Sequence, residues 1–207
     1  MFIRKSYTFG SVEIHILYFG EFDPTEFLHF LNQEEKKRVD GFLLGKRKRE
    51  FIATRMIKDE VLPNSLIEYT ELGSPFIKNG PFISISHAPG VAGIAICKDF
   101  RVGFDLEPIR EKVQRIKSKF LHQQEYLNCD TEDTETLIKI WSGKEALFKL
   151  ACREEVIFAE DLLLKPIDTD NWKGKIRQPK GEFEVEMHIF TQNDLVISVN
   201  TSDVQRA

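Results

Sequence analysis

The sequence predicts an α+β fold, with helices and strands mixed but not in strict strand–helix–strand alternation. Three observations predict it. Short alternating or apolar runs such as SVEIHILYF (11–19) and GVAGIAIC (90–97) read as strands. Long stretches at 32–62 and 132–152 carry helical spacing. The chain then closes on a series of short strand-like runs.

The elements follow in order. MFIRKSYTFG (1–10) lacks the long apolar centre of a signal peptide, and 11–19 is a strand. Asp23-Pro24 supplies an N-cap and a proline at the first helical position of PTEFLHFL. Asn32 caps a charged and apolar helical segment, interrupted at Gly41 and Gly45 and ending before Pro63, whose last turns bury Phe51, Ile52, Met56 and Val61. Strands follow in LIEYTE, PFIS, GVAGIAIC and RVGFDLE, separated by turn signals at Gly73, Asn79-Gly80, Pro89-Gly90 and Lys98-Asp99. Helical spacing returns at 110–120, 122–127 and 132–152, and strands are expected near 161–165, 174–178, 182–190 and 194–200. A helix-then-strands block thus occurs twice. It divides the chain into halves at 1–98 and 99–207 of one compact unit, without internal sequence repetition.

A chain of 207 residues with 42% hydrophobic content can bury a sizeable core. A net charge of -4 argues against a nucleic-acid coat protein. Cys97, Cys129 and Cys152 are odd in number and lack a CxxC pair, so neither a disulfide framework nor a zinc site is expected and a reducing, cytoplasmic setting is. No run approaches the ~18 apolar residues that span a bilayer, so no membrane role is expected.

RVGFDLEPIR (101–110) raises a chemical question. In a strand, Arg101, Gly103, Asp105 and Glu107 share one side, and the two carboxylates lie roughly 7 Å apart at about 3.3 Å per residue. That separation suits a shared cation, with Gly103 leaving room for a ligand, and magnesium takes such carboxylates together with water and phosphate oxygens. A half-exposed acidic strand face is the plainer explanation until a third ligand is found.

WSGKEALFKLA (141–151) lies in the best helix of the chain. Lys144, Glu145 and Lys149 fall within or beside the stripe formed by Leu137, Ile138, Trp141 and Phe148, while Ile140, Leu147 and Leu150 make the other side apolar as well. A glutamate on such a helix must be paired, protonated or metal-bound. A Glu145–Lys149 pair at i,i+4 explains the spacing but not the apolar surroundings. Gly143 is a poor helix former unless something packs closely against it.

In this order, FISISHA (82–88), VGFDLE (102–107) and WSGKEALFK (141–149) resemble the F-N-I-S-H-S, G-I-D-I-E and W-x-x-K-E-x-x-x-K blocks of the Sfp-type 4′-phosphopantetheinyl transferases. The resemblance implies two similar α+β halves related by a pseudo-two-fold, with the active site between them. It implies transfer of the phosphopantetheine arm of coenzyme A to a serine of an acyl or peptidyl carrier protein, with release of adenosine 3′,5′-bisphosphate.

On the matching positions, Asp105, Glu107 and Glu145 would bind Mg²⁺, Lys149 would contact the phosphate under attack and Lys144 a neighbouring oxygen. The proton acceptor would be Glu125, in FLHQQEY, or Glu145, directly or through metal-bound water; His122 is better read as a solvated or capping residue. Ser86 and His87 would meet the phosphates and ribose of coenzyme A. RKREFIATR (47–55) would bring Arg49 and Arg55 to the adenosine 3′-phosphate, and Gly73 and Pro75 would hold the adenine-ribose part.

Ser74 stands where the family carries a cation, Ser84 where it carries asparagine and Ala88 where it carries a hydroxyl. These departures keep open a non-catalytic coenzyme A binding homologue; a magnesium-dependent nuclease is disfavoured by the absence of a long basic groove. Arg110 to Lys119 forms a basic segment that would steer an acidic carrier protein toward a monomeric enzyme.

Overall fold

The computed structural model describes residues 1–152 and 155–207. Its first half holds β1 (Phe2–Phe9), β2 (Val12–Phe19), a 3-10 helix (Pro24–Phe30), α1 (Gln33–Asp40), α2 (Gly45–Val61), β3 (Glu68–Tyr69), β4 (Pro75–Phe76), β5 (Phe82–Ala88) and β6 (Val91–Cys97). The second holds β7 (Phe104–Pro108), a 3-10 helix (Glu111–Lys119), α3 (Gln123–Asn128), α4 (Thr134–Ala151), α5 (Phe158–Asp161), β8 (Leu162–Pro166), β9 (Asn171–Gln178), β10 (Gly181–Gln192), β11 (Leu195–Asn200) and β12 (Gln205–Arg206). The fold is mixed α+β.

Besides the small β3-β4 pair, the described residues form two larger antiparallel sheets, one ordered β1-β2-β6-β5 and the other β7-β11-β10-β9-β8 with β12 paired to β10. Alternation along the strands explains how they stack. In β6, Ala92, Ile94 and Ile96 pack with Ile52 and Met56 of α2, whereas Val91, Ala95 and Cys97 join Phe104, Leu106, Ile197 and Val199 of the second sheet. The layers are therefore α2, first sheet, second sheet and α4, and β6, buried on both faces, reads as an unbroken apolar run. On its other face the second sheet packs Met187, Ile189 and Val196 against Leu137, Ile140 and Leu147 of α4.

Several boundaries differ from expectation. β1 escapes the alternation rule because Arg4 and Lys5 interrupt it, yet it pairs with β2 along its whole length, from Phe2↔Phe19 to Phe9↔Val12. The expected strand at LIEYTE shrinks to Glu68–Tyr69, closed onto Pro75–Phe76. The segments at 24–30 and 111–119 are 3-10 rather than α-helical. Gly41 does end α1, after an Asn32 capping box with Glu35.

Candidate active site

The strand that carries the acidic pair begins at Phe104, so Arg101 and Gly103 precede it. A Cβ on Gly103 would meet the Ala146 carbonyl oxygen and, at 2.7 Å, Leu150 Cγ of α4. The missing side chain thus makes room for a helix, not for the expected ligand. Gly143 has a matching reason: a Cβ there would lie 2.6 Å from Leu164 and 2.7 Å from Ile189. Together these glycines let α4 settle on the second sheet.

That close approach brings α4 over Asp105. Ser142 Oγ donates to Asp105 Oδ2 at 3.0 Å, while Ser86 Oγ and Lys149 Nζ donate to Oδ1 at 2.9 and 3.0 Å. Asp105 is 5% exposed, and these three donors compensate the loss of water around its charge. Lys149 also donates to the backbone oxygens of Phe104 at 2.6 Å and Ile85 at 3.3 Å, so its ammonium sits between the edge strands of the two sheets. It pairs with Asp105, not with Glu145 as the i,i+4 spacing suggested.

Glu107 lies further along the same face and accepts a hydrogen bond from Trp141 Nε1 at 3.1 Å. Burial raises its pKa, and the charge on Asp105 adds to the effect. Glu145 has no hydrogen bond or ion pair among the described residues. Burial, with repulsion from Asp105 and Glu107 opposed by Lys149, pushes it up to about 7. The three carboxylates therefore interact through a poorly solvated space, with less positive charge nearby than they would accommodate.

Among the described residues, no group of three His, Cys, Asp or Glu side chains is already gathered closely enough to hold a metal ion. The donor chemistry nonetheless fits one: all-oxygen ligands, mutual repulsion and an unpartnered carboxylate are what a hard divalent cation relieves.

Two expected members stand elsewhere. Lys144 and Glu145 are adjacent in sequence and so point about 100° apart around the helix. Lys144, 0% exposed, pairs with Glu125 at 2.8 Å and donates to the carbonyls of Phe120 at 2.5 Å and Phe158 at 2.9 Å. Glu125, also 0% exposed, accepts from the backbone N–H groups of His122 and Leu164, each at 2.8 Å. All of Lys144's donors are used inside the core, so neither side chain reaches the Asp105 cluster, and the phosphate and proton roles expected of them do not fit. The expectation for His122 does: it caps α3, accepting from Gln124 N.

On the first-sheet side, a cavity of about 210 Å³ is lined by Arg38, Arg47, Phe51, Arg55, Tyr69 and His87, with Gly73 and Pro75 at its wall. Among the residues expected here, His87 is 53% exposed and lies 3.5 Å from Glu50. Arg55, 2% exposed, is held by Glu35 at 2.7 Å and Tyr69 Oη at 3.1 Å, and lies over the Phe51 ring. Arg49 does not line the cavity; it pairs with Glu21 at 2.8 Å. The Ser86 hydroxyl is taken by Asp105 and by the Leu106 N–H, so it does not present itself to a ligand as expected.

Sequence reasoning missed Arg38 and Arg47, whose charges stack on Tyr69 and Phe42. Both sit in a stretch so rich in lysine and arginine that no single residue stands out. It also gave no role to Ser142 or Trp141, although both lie inside the WSGKE block. In the basic segment, Lys112, Arg115 and Lys119 are exposed and Lys117 pairs with Glu132 at 2.6 Å.

The described residues contain no helix long and apolar enough to cross a membrane, and all three cysteines are free. No curated protein matches the chain. Residues 101–200, which span β7 through β11 and hold Asp105, Glu107, Glu145 and Lys149, match the family model described as ACPS: 4'-phosphopantetheinyl transferase superfamily. That match identifies residues 101–200 as a 4'-phosphopantetheinyl transferase superfamily domain, and the mixed α+β architecture is consistent with it.

Proposed function

We propose that this protein transfers the 4′-phosphopantetheine arm of coenzyme A to a serine of an acyl or peptidyl carrier protein, as a magnesium-dependent cytoplasmic monomer. One observation carries the reading. Lys149 of α4 bonds Asp105 of β7 where the two sheets join, Glu145 of the same helix feels the charges of Asp105 and Glu107, and a cation-lined cavity lies on the far side of β5. The two halves, 1–98 and 99–207, would each supply one wall, related by a pseudo-two-fold.

Arg38, Arg47 and His87 would receive the adenosine phosphate end of coenzyme A, with Gly73 and Pro75 beside the nucleoside. Arg55 would act from behind, holding Tyr69 and Phe51 in place. The diphosphate would then lie toward Asp105, Glu107 and Glu145. A magnesium ion bound there supplies charge neutralisation on the diphosphate and the leaving phosphate.

The carrier serine oxygen attacks the phosphorus that bears the pantetheine arm. A new P–O bond forms, the bond to the bridging diphosphate oxygen breaks, and adenosine 3′,5′-bisphosphate leaves. Lys149 stabilises charge developing on the attacked phosphate. Of the two carboxylates weighed as acceptor of the serine proton, Glu145 is the one not sealed in the core against Lys144. The exposed Lys112, Arg115 and Lys119 would steer an acidic carrier.

The test is mass spectrometry of apo carrier proteins incubated with coenzyme A, this protein and either Mg²⁺ or a chelator. The reading expects the phosphopantetheine mass on a carrier only with Mg²⁺. A second reading, binding of coenzyme A without transfer, is favoured by Lys149 having its donors engaged within the protein. It predicts coenzyme A binding by calorimetry and no carrier modification.

A further inference from the structure

β5 ends the first sheet and β7 ends the second. Edge strands leave backbone groups that must find partners when buried. Here the partners are side chains. Ser84 Oγ accepts the N–H of Phe104 at 3.0 Å, Ser86 Oγ accepts the N–H of Leu106 at 3.1 Å, and Lys149 donates to the Phe104 carbonyl. Ser84 and Ser86 are both buried and project from the same side of β5, two residues apart, which matches the two-residue step from Phe104 to Leu106. The residue between those two N–H groups is Asp105.

We propose that the Ser84 and Ser86 hydroxyls form a two-rung ladder that fixes the backbone on either side of Asp105, making Ser84 a positioning residue for the carboxylate cluster. The proposal rests on the functional reading above. The geometry gives Ser84 no other polar role, since its hydroxyl touches neither the carboxylates nor the cavity. Ser86 adds a direct bond to Asp105 Oδ1, so one rung holds both main chain and carboxylate. Because hydroxyl rungs replace direct main-chain pairing, the Lys149 ammonium also fits between the strands, reaching Ile85 O on one side and Phe104 O on the other. Groups that orient metal ligands in this way typically change cation affinity by about 10- to 100-fold when removed.

Ser198 provides a matched control. It lies opposite Asp105 on β11, is equally buried, and its hydroxyl has no partner among the described residues. The experiment compares Ser84→Ala, Ser84→Thr and Ser198→Ala by amide hydrogen exchange at Phe104, by Mn²⁺ calorimetry and by transfer kinetics. Ser84→Ala is expected to lose protection at the Phe104 amide and to lower both Mn²⁺ affinity and kcat by about 10-fold, with KM for coenzyme A near wild type. Ser84→Thr restores these values, and Ser198→Ala matches wild type throughout.

Unchanged Mn²⁺ affinity and kcat in Ser84→Ala, or an equal loss in Ser198→Ala, overturns the proposal. If Ser84→Ala does not fold, Ser84→Cys, a weaker acceptor of similar size, must show a graded loss; wild-type values there overturn it equally. A wild-type protein that neither takes up Mn²⁺ nor transfers would sink the functional reading itself and this proposal with it, an outcome seen before any variant is made.

Discussion

Helix α4 carries two lysine–carboxylate pairs five residues apart in its sequence, and they occupy opposite environments. Lys144 and Glu125 are sealed in the core, with every strong donor and acceptor engaged by backbone or by each other. Lys149 and Asp105 lie at the joint between sheets, where Lys149 retains 29% exposure and the neighbouring Glu145 has no partner among the described residues. A saturated pair can hold architecture and do little else. A pair beside an uncompensated carboxylate retains the capacity to respond to a cation or a phosphate.

The largest effect that sharpens this contrast is on stability. Lys144→Met would leave the Glu125 charge buried and unpaired and is expected to cost about 3–5 kcal/mol in urea denaturation. Adding Glu125→Gln, which removes the stranded charge but keeps an acceptor for the backbone N–H groups, should recover much of that loss. A small effect of Lys144→Met would mean that the pair is not sealed.

Glu145→Gln should do the reverse. Loss of a group placed where several kcal/mol of charge stabilisation are supplied predicts a fall in kcat of roughly 100-fold or more. Its unfolding midpoint should hold or rise, because a carboxylate repelled by Asp105 and Glu107 has been neutralised. Equal damage to folding would place Glu145 with the structural pair.

The smallest effect uses the exposed end of the same helix as a baseline. Asp133 caps α4 by accepting from the Thr136 N–H at 2.8 Å and hydroxyl at 2.7 Å, which hold its pKa below the ordinary 3.8. Asp133→Ala should cost about 1 kcal/mol near neutral pH. Because the folded-state pKa is depressed, the electrostatic part of that contribution is present above pH 3.8 and is lost as pH falls through the lowered value. The gap between wild type and Asp133→Ala in urea titrations should therefore narrow in acid.

The same two pairs mark how far the sequence could be read. Strand period placed Asp105 and Glu107 on one face, and an apolar helix interrupted by charge singled out Glu145 and Lys149, because local periodicity determines which way a side chain points. It does not determine what waits there. Lys144 also lies in an apolar stretch, but its carboxylate partner comes from a short helix capped by His122, which no spacing rule connects to residue 144.

Gly103 signalled a close approach without revealing that the approaching body was α4. Ser86 presented a hydroxyl whose acceptor, Asp105, becomes its neighbour only when the sheets meet. Core strands such as β6 were legible from composition alone. The edge strand β1 and the terminal β12 were not, since solvent on one side removes the apolar signal.

The central claim is that Asp105, Glu107 and Glu145 together receive a divalent cation. Calorimetric titration of Mg²⁺ into the protein with coenzyme A present tests it most directly. Saturable uptake at a single site in wild type, lost in Glu145→Gln while that variant stays folded, is the predicted result. No uptake by wild type, or undiminished uptake by Glu145→Gln, would contradict it.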